Sequence, residues 1–287
     1  MSKLQSSIAS HRFGGSNQQV SVIGQGTWML EDSAPTAVAA LQRGIDLGLT
    51  HIDTAEMYGS GAAERLVGMA IKGRRQQVFL VSKVLPGNAS RRNTLQACED
   101  SLQRLGTDYL DCYLLHWRGR IKLTETLGAF ESLQQQGKIR GYGVSNFDVD
   151  DLDEVLSIVG PGKLACNQVL YHVQERAIEH EVIPWCQRND VAVVAYSPLG
   201  HGNFPARSGK GGSVLEQLAA KYAVTSYQIA LAFVCRLPEL FAIPKSLNPA
   251  HVAANAAAAA LQLAAEDIAA IDQAFPRGVK PRSLPTI

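Results

Sequence analysis

Short apolar runs alternate along the chain with longer stretches whose apolar residues recur every three or four positions. The runs fall at residues 22–27, 51–53, 78–83, 110–116, 141–145, 165–169, 192–197 and 241–244. Several are nearly continuous in Val, Leu, Ile and Ala, the composition of strands covered on both faces in a parallel sheet. The helical stretches lie between them. Residues 36–47 carry Ala37, Ala40, Leu41 and Ile45 on one face and stop at Gly48, which suits a helix C-terminus. Further helices are predicted over 62–71, 93–105, 124–136, 148–159, 177–187, 214–222 with 226–236, and 249–260. The stretch 148–159 opens on acidic residues, which favour a helix N-terminus. An additional helix is predicted over 265–275, after the last unit.

Strand and helix thus alternate eight times with short linkers. That count predicts one closed (β/α)8 TIM barrel rather than an open sheet. No Pro- or Ser-rich seam divides the chain, so residues 1–287 read as a single domain. Residues 13–20 read as turn-linked extended chain, and a small hairpin capping the barrel bottom is expected there. The longest irregular stretch, 198–212, is rich in Gly, Pro and Ser. Loops of this length are usually functional or disordered.

Composition narrows the classes. A chain of 287 residues admits one domain or two, and barrels of this kind use about 250 residues. With 46% hydrophobic and 18% charged residues the chain is globular, not disordered. Its 27 basic and 26 acidic side chains leave a net charge of +1, which argues against nucleic acid as a partner. Met1-Ser2-Lys3-Leu4 is followed by no apolar run of the kind a secretory signal carries. No stretch approaches the ~20 apolar residues of a membrane helix. A cytoplasmic protein with no membrane partner is therefore expected, and the chain is read as a monomer. The five cysteines (Cys98, Cys112, Cys166, Cys186, Cys235) are scattered, and no CxxC pair occurs. Neither a disulfide framework nor a zinc site is indicated.

Common catalytic and nucleotide motifs are missing. Gly24-Gln25-Gly26 is half of a dinucleotide fingerprint, but Met29 stands where the third glycine belongs. Residues 209–213 lack the spacing of a Walker A loop. Pro184 stands where His180-Glu181 would need a second histidine for a metalloprotease helix. Ser197 does not sit in a G-x-S-x-G elbow.

In a β/α barrel, chemistry comes from the C-terminal ends of the strands. The second strand ends in His51-Ile52-Asp53-Thr54, with Tyr58 just beyond; the third ends in Ser82-Lys83; the fourth in Leu115-His116-Trp117. Taken singly, each side chain has a plain alternative. Asp53 could cap a helix, Tyr58 could line a pocket, Lys83 could be a solvated strand end, and His116 a satisfied histidine. Together they have a chemical logic, because a buried Lys and Asp need partners. A nearby ammonium favours a phenolate and lowers a tyrosine pKa from about 10. Asp53 can hold Lys83, and His116 can orient a substrate oxygen. Such a site can give a proton to a carbonyl oxygen as hydride reaches the carbon.

At these residues the sequence resembles the aldo-keto reductases, over almost its whole length. The motifs that carry the resemblance are Gly24-Gln25-Gly26-Thr27, Asp53-Thr54-Ala55-Glu56-Met57-Tyr58-Gly59, Ser82-Lys83, Leu114-Leu115-His116-Trp117, Gly143-Val144-Ser145-Asn146-Phe147, Asn167-Gln168, Tyr196-Ser197-Pro198-Leu199 and Ile243-Pro244-Lys245-Ser246. Residues 54–58 and 167–172 look most like the bacterial methylglyoxal-reductase branch, close to the diketogluconate reductases. The resemblance implies metal-free, NAD(P)H-dependent reduction of aldehydes and ketones, with small 2-oxoaldehydes such as methylglyoxal among the substrates. It implies a catalytic tetrad of Asp53, Tyr58, Lys83 and His116. It places Thr27, Ser145, Asn146 and Gln168 at the cofactor, the last three on the nicotinamide carboxamide, with Tyr196 stacked on the ring. Ser197 and Leu199 would meet the pyrophosphate, under a flap from residues 200–212. Lys245 and Ser246 would receive the adenosine phosphates, and Asn255 the adenine.

The chain departs from the family at His251, where these reductases usually carry an arginine for the 2′-phosphate. Histidine is a weaker, pH-dependent cation. NADPH is the expected cofactor, and NADH use is admitted. Trp28, Met57, Leu85, Trp117 and Phe204 are expected to form an apolar substrate wall; Met57 and Leu85 could instead pack under loops. The tail 276–287 is short and could reach the pocket rim or fray. A cofactor-binding regulatory barrel with little turnover is the alternative, and a metal-dependent barrel hydrolase a third reading without a visible ligand cluster.

Overall fold

A computed structural model describes residues 8–16 and 18–287. The expectation for residues 1–7 lies outside the described residues. The chain opens with an antiparallel hairpin, β1 (Ser10–Arg12) and β2 (Gln19–Ser21). Eight parallel strands follow: β3 (Gln25–Gly26), β4 (His51–Asp53), β5 (Phe79–Val84), β6 (Leu110–Leu115), β7 (Ile139–Ser145), β8 (Leu164–Leu170), β9 (Ala192–Tyr196) and β10 (Leu240–Ala242). Each pairs in parallel with the next in sequence. The ring closes where Gly24 N donates to Ala242 O (2.8 Å) and Ala242 N donates to Val22 O (2.9 Å). The fold is a (β/α)8 barrel.

The helices are α1 (Ala34–Asp46), α2 (Ala62–Ile71), α3 (Arg91–Leu105), α4 (Leu123–Gln135), α5 (Val149–Val159), α6 (Val182–Asn189), α7 (Lys210–Tyr222), α8 (Ser226–Val234), α9 (Pro249–Ala258) and α10 (Ala265–Ala274). Local chemistry sets their starts. Ser90 and Asp148 cap α3 and α5 by accepting from Asn93 N and Asp151 N, and Thr225 with Gln228 forms a capping box on α8.

Two predicted elements come out differently. The helix expected over 177–187 is a 3₁₀ turn (Ala177–Glu179) followed by α6. Pro184 has no N–H to give to the carbonyl four residues back and its ring crowds that carbonyl, so the helix cannot run through from 177. The irregular stretch ends three residues earlier than predicted, because α7 begins at Lys210. Gly211 and Gly212 belong to that helix. A Cβ at Gly212 would lie 2.0 Å from Ala206 O, and one at Gly211 2.4 Å from the Phe275 ring. These glycines serve close packing, not loop freedom.

The core is the barrel interior together with the helix–sheet layer around it. A second apolar cluster, built on Leu215, Ile229, Phe233 and Ile271, holds α7, α8 and α10 together. Arg176 links α10 to the segment after β8. It donates to Glu179, to Asp272 Oδ1 (2.6 Å) and to Phe275 O (2.6 Å).

The hairpin closes the barrel bottom as predicted. Phe13 is buried with its ring 5.8 Å from His51, 4.7 Å from Phe79 and 5.0 Å from Phe241. His51 therefore sits in an aromatic cage, fully buried, and neither ring nitrogen has a partner among the described residues. Burial pushes its imidazole down to about 3, and the charge of Lys83 adds to this. The folded value lies below the unfolded one of about 6.5. The neutral form is thus required, and stability is lost as pH falls from about 6.5 toward 3, at about 1.4 kcal/mol per pH unit. His51→Leu should be near-neutral at pH 7 and stabilising by about 2 kcal/mol at pH 5. Thermal melts at both pH values check this; an equal Tm loss on acidification in both proteins would refute the account.

Candidate active site

The residues singled out in the sequence converge on the C-terminal end of the barrel. Asp53 ends β4, Lys83 lies near the end of β5, and His116 follows β6. The parallel register pairs Asp53 with Val81. Lys83, two residues on, points to the same face as Val81, because side chains alternate along a strand. The sheet itself thus brings the ammonium to the carboxylate.

Lys83 is fully buried and uses all three of its N–H donors. They go to Asp53 Oδ1 (2.5 Å), Thr54 O (2.9 Å) and the Tyr58 hydroxyl (3.1 Å). Burial alone would push the ammonium pKa down. The carboxylate of Asp53 and the phenol of Tyr58 more than offset this and hold it above its ordinary value. Tyr58 does not follow the simple expectation. Lys83 does pull its pKa down, but burial pushes harder and Asp53 adds to it, so the phenol stands above 10. The site holds Tyr58 protonated at neutral pH.

His116 packs edge-on to Tyr58, ring centres 5.7 Å apart, and its Nδ1 is buried without a partner among the described residues. Burial, aided by the Lys83 charge, pushes it down to about 3. It is a neutral imidazole, and it lines the cleft beside Tyr58.

The strands opposite carry polar side chains tied to one another. Ser145 Oγ and Asn146 N both donate to Gln168 O (2.8 and 2.9 Å). Tyr196 donates its hydroxyl to Asn146 Oδ1 (2.9 Å). Asn146 has the left-handed conformation, φ 61°, one that Asn tolerates better than most residues. Gln168 Nε2 donates to Asp53 Oδ2 (2.7 Å). Thr27 Oγ1 donates to Asp53 O (2.9 Å).

These groups enclose a cleft of about 500 Å³. Thr27, Trp28, Met57, Tyr58, His116, Trp117, Ser145, Asn146, Gln168, Tyr196, Ser197, Leu199 and Lys245 line it. Leu85 and Phe204 do not, which corrects their expected place in the wall. Leu85 is half-buried with its N–H given to Glu56 Oε1 (2.7 Å), and Phe204 stacks on Tyr227 at 4.0 Å. Ser246, His251 and Asn255 lie beyond the cleft lining, ahead of and along α9, with His251 exposed and Asn255 buried. Of the tail, Ile287 reaches the cleft. The sequence reading missed His201, whose ring stacks on Trp28 at 4.9 Å and 14°. The signal was present: Gly200 and Gly202 flank it, both at positive φ, making a tight turn that carries the loop over the cleft. It also missed Met29, which lines the cleft at φ 57°.

Among the described residues no cluster of His, Cys, Asp or Glu could hold a metal ion, and no helix is long and apolar enough to cross a membrane.

The profile of the Aldo/keto reductase family matches residues 22–275, and the chain belongs to that family. It is therefore an oxidoreductase. Over 257 residues it is 46% identical to the methylglyoxal reductase YeaE of Escherichia coli (strain K12), spanning 88% of this chain and 90% of that one. It is 35% identical over 239 residues to the glyoxal reductase of Bacillus subtilis (strain 168), 82% of each chain. The crystal structure of an aldo-keto reductase from Klebsiella pneumoniae in complex with NADPH superposes with a TM-score of 0.91 at 44% identity, covering 98% of this chain and 99% of that one.

The buried pair gives a test of the geometry. Lys83→Met leaves Asp53 charged and half-paired in the interior, and should lower the unfolding free energy by roughly 3–5 kcal/mol. The double variant Asp53→Asn/Lys83→Met should recover most of that in chemical denaturation. A double variant as unstable as the sum of the two singles would refute the coupling.

Proposed function

We propose that this chain reduces aldehydes and ketones, small 2-oxoaldehydes such as methylglyoxal among them, with NADPH as the preferred cofactor and NADH also accepted. The observation that carries the reading is the saturated Lys83, whose third donor is spent on the Tyr58 hydroxyl. A lysine placed only for packing would not be buried against a phenol that lines a cleft.

The residues present fit a nicotinamide dinucleotide. Ser145 Oγ and the side-chain oxygen of Gln168 keep lone pairs for the N–H groups of a primary amide, and Asn146 Nδ2, held only at 3.3 Å by His116 O and Ser145 Oγ, is the donor for its carbonyl, next to the Tyr196 ring. Ser197 and Leu199 would receive the pyrophosphate, Lys245 and Ser246 the phosphates beyond it, and Asn255 the adenine. Lys245 sits just ahead of α9, whose positive N-terminal dipole favours an anion. When bound, the dinucleotide supplies the hydride that reaches the carbonyl carbon.

The chain's own residues do the rest. Neutral His116 orients the carbonyl oxygen between itself and Tyr58. Tyr58 gives that oxygen its phenolic proton as negative charge develops there. Lys83 stabilises the phenolate that remains, and Asp53 keeps Lys83 charged and in place. Trp28, Met57 and Trp117 form an apolar wall around the reacting carbon. The same reading takes the chain to work as one domain and as a monomer in the cytoplasm.

Tyr58→Phe should cut kcat by roughly 10²–10⁴-fold with methylglyoxal while NADPH affinity, read by fluorescence, is retained. Near-normal turnover in that variant would overturn the assignment of the acid. His251→Arg should raise the NADPH-over-NADH ratio of kcat/KM by about tenfold, since an arginine grips a phosphate in a bidentate way that histidine cannot. An unchanged ratio would place His251 outside the phosphate site.

A further inference from the structure

Asp53 has two anchors, and the second comes from the far wall of the barrel. Around the ring β4 and β8 are four strands apart in a closed set of eight, so they stand opposite each other. Gln168 on β8 nevertheless reaches Asp53 on β4, with Nε2 donating to Oδ2 at 2.7 Å, both side chains buried. Its reach is fixed from behind. The Gln168 carbonyl accepts from both Ser145 Oγ and Asn146 N, which locks the end of β8 against that of β7. The salt bridge with Lys83 makes Asp53 an acceptor, so only the N–H end of the amide can face it. The carbonyl end, free of hydrogen bonds among the described residues, remains with the cleft.

We propose that Gln168 is a positioning residue of the proton-donating chain: it holds the second oxygen of Asp53, and through Asp53 and Lys83 it fixes the proton donor Tyr58. This rests on the reading of Tyr58 as the acid, and it adds a duty to a residue expected only at the cofactor. The physical reason is a count of lone pairs. Lys83 satisfies Oδ1; Thr27 binds the Asp53 backbone carbonyl, not the carboxylate. Without Gln168, Oδ2 is a buried anionic oxygen with no donor, which costs far more than an unmade bond in water. Asp53 is faced by Lys83 from β5, by Tyr58 from the loop after β4, and by Cys112 from β6, with His116 beyond Tyr58. Lys83 is the one cation among these groups, and it bonds Oδ1; among the described residues the donor to Oδ2 is Gln168.

The test compares Gln168→Met with the parent enzyme at saturating NADPH, with methylglyoxal as substrate. Methionine keeps the length and removes the donor. The proposal expects kcat to fall about ten- to a hundredfold, the worth of a hydrogen bond to a buried charge. It also expects the loss to fall on the proton step: the D2O effect on kcat should rise in the variant, because the transfer from Tyr58 is the step that slows. A residue that only holds the carboxamide would raise the Kd and KM for NADPH and leave the D2O effect at the parent value; that outcome would overturn the proposal. Circular dichroism and the Tm of the variant separate a folding defect from the expected effect, because a partly unfolded population lowers kcat without changing its D2O effect. Tyr58→Phe is run alongside. If it remains active the acid assignment itself fails; if it is inactive and Gln168→Met keeps the parent kcat and D2O effect, only the positioning role fails.

Discussion

A fully buried ammonium is the constraint around which the upper end of this barrel is arranged. Lys83 cannot be left inside without three acceptors, and it finds a carboxylate, a backbone carbonyl and a phenol. Each acceptor then imposes its own demand. Asp53 needs a second donor, which Gln168 provides across the barrel. Tyr58 must be held on the loop after β4, a loop tied to the one after β5 when Glu56 Oε1 accepts from Leu85 N and Asn88 Nδ2. Behind β5, Ser82 donates to the buried Glu64, which also binds Arg104. Alternate residues of one strand thus face the site and the helical layer, and both are fixed by charge.

Desolvation, not the neighbouring ammonium, decides the protonation state of Tyr58. An exposed phenol beside a lysine would move toward the phenolate. Here burial outweighs that pull, and Asp53 offsets part of what remains. The outcome is useful for a proton donor: the acid is fully protonated, and its anion, once formed, has a cation 3.1 Å away. The cost of forming the phenolate is concentrated at the moment when the substrate oxygen takes the proton, which is when Lys83 stabilises it most.

The fold was legible because parallel strands buried on both faces leave long apolar runs, and eight of them admit few arrangements. The four residues at Lys83 were legible for a related reason: an ionisable side chain at the end of an apolar strand has to be explained. Residues whose placement depends on loop geometry were not. Leu85 follows β5 directly and Trp117 stands two residues past β6, yet only Trp117 lines the cleft, while the N–H of Leu85 is given to Glu56 Oε1. His201 lies in the stretch expected to form a flap, but nothing singled it out there; the paired glycines around it are the sign of a turn sharp enough to bring it over Trp28. The broken helix at 177–187 was readable in principle from Pro184. The Gln168–Asp53 bond was not, since it joins residues 115 positions apart across the barrel.

Two histidines show how position within one barrel separates stability from chemistry. His51 and His116 are both pushed down to about 3, by burial first and by Lys83 second. Both are neutral, and both carry a ring nitrogen without a partner among the described residues. His51 starts β4 at the barrel bottom, where Phe13, Phe79 and Phe241 enclose it and leave nothing for it to act on. His116 follows β6 at the other end, where Tyr58 lies against it and the cleft opens beside it. A depressed pKa alone therefore does not mark a functional group. What distinguishes His116 is access to the cleft and a phenolic neighbour within reach of the same substrate oxygen.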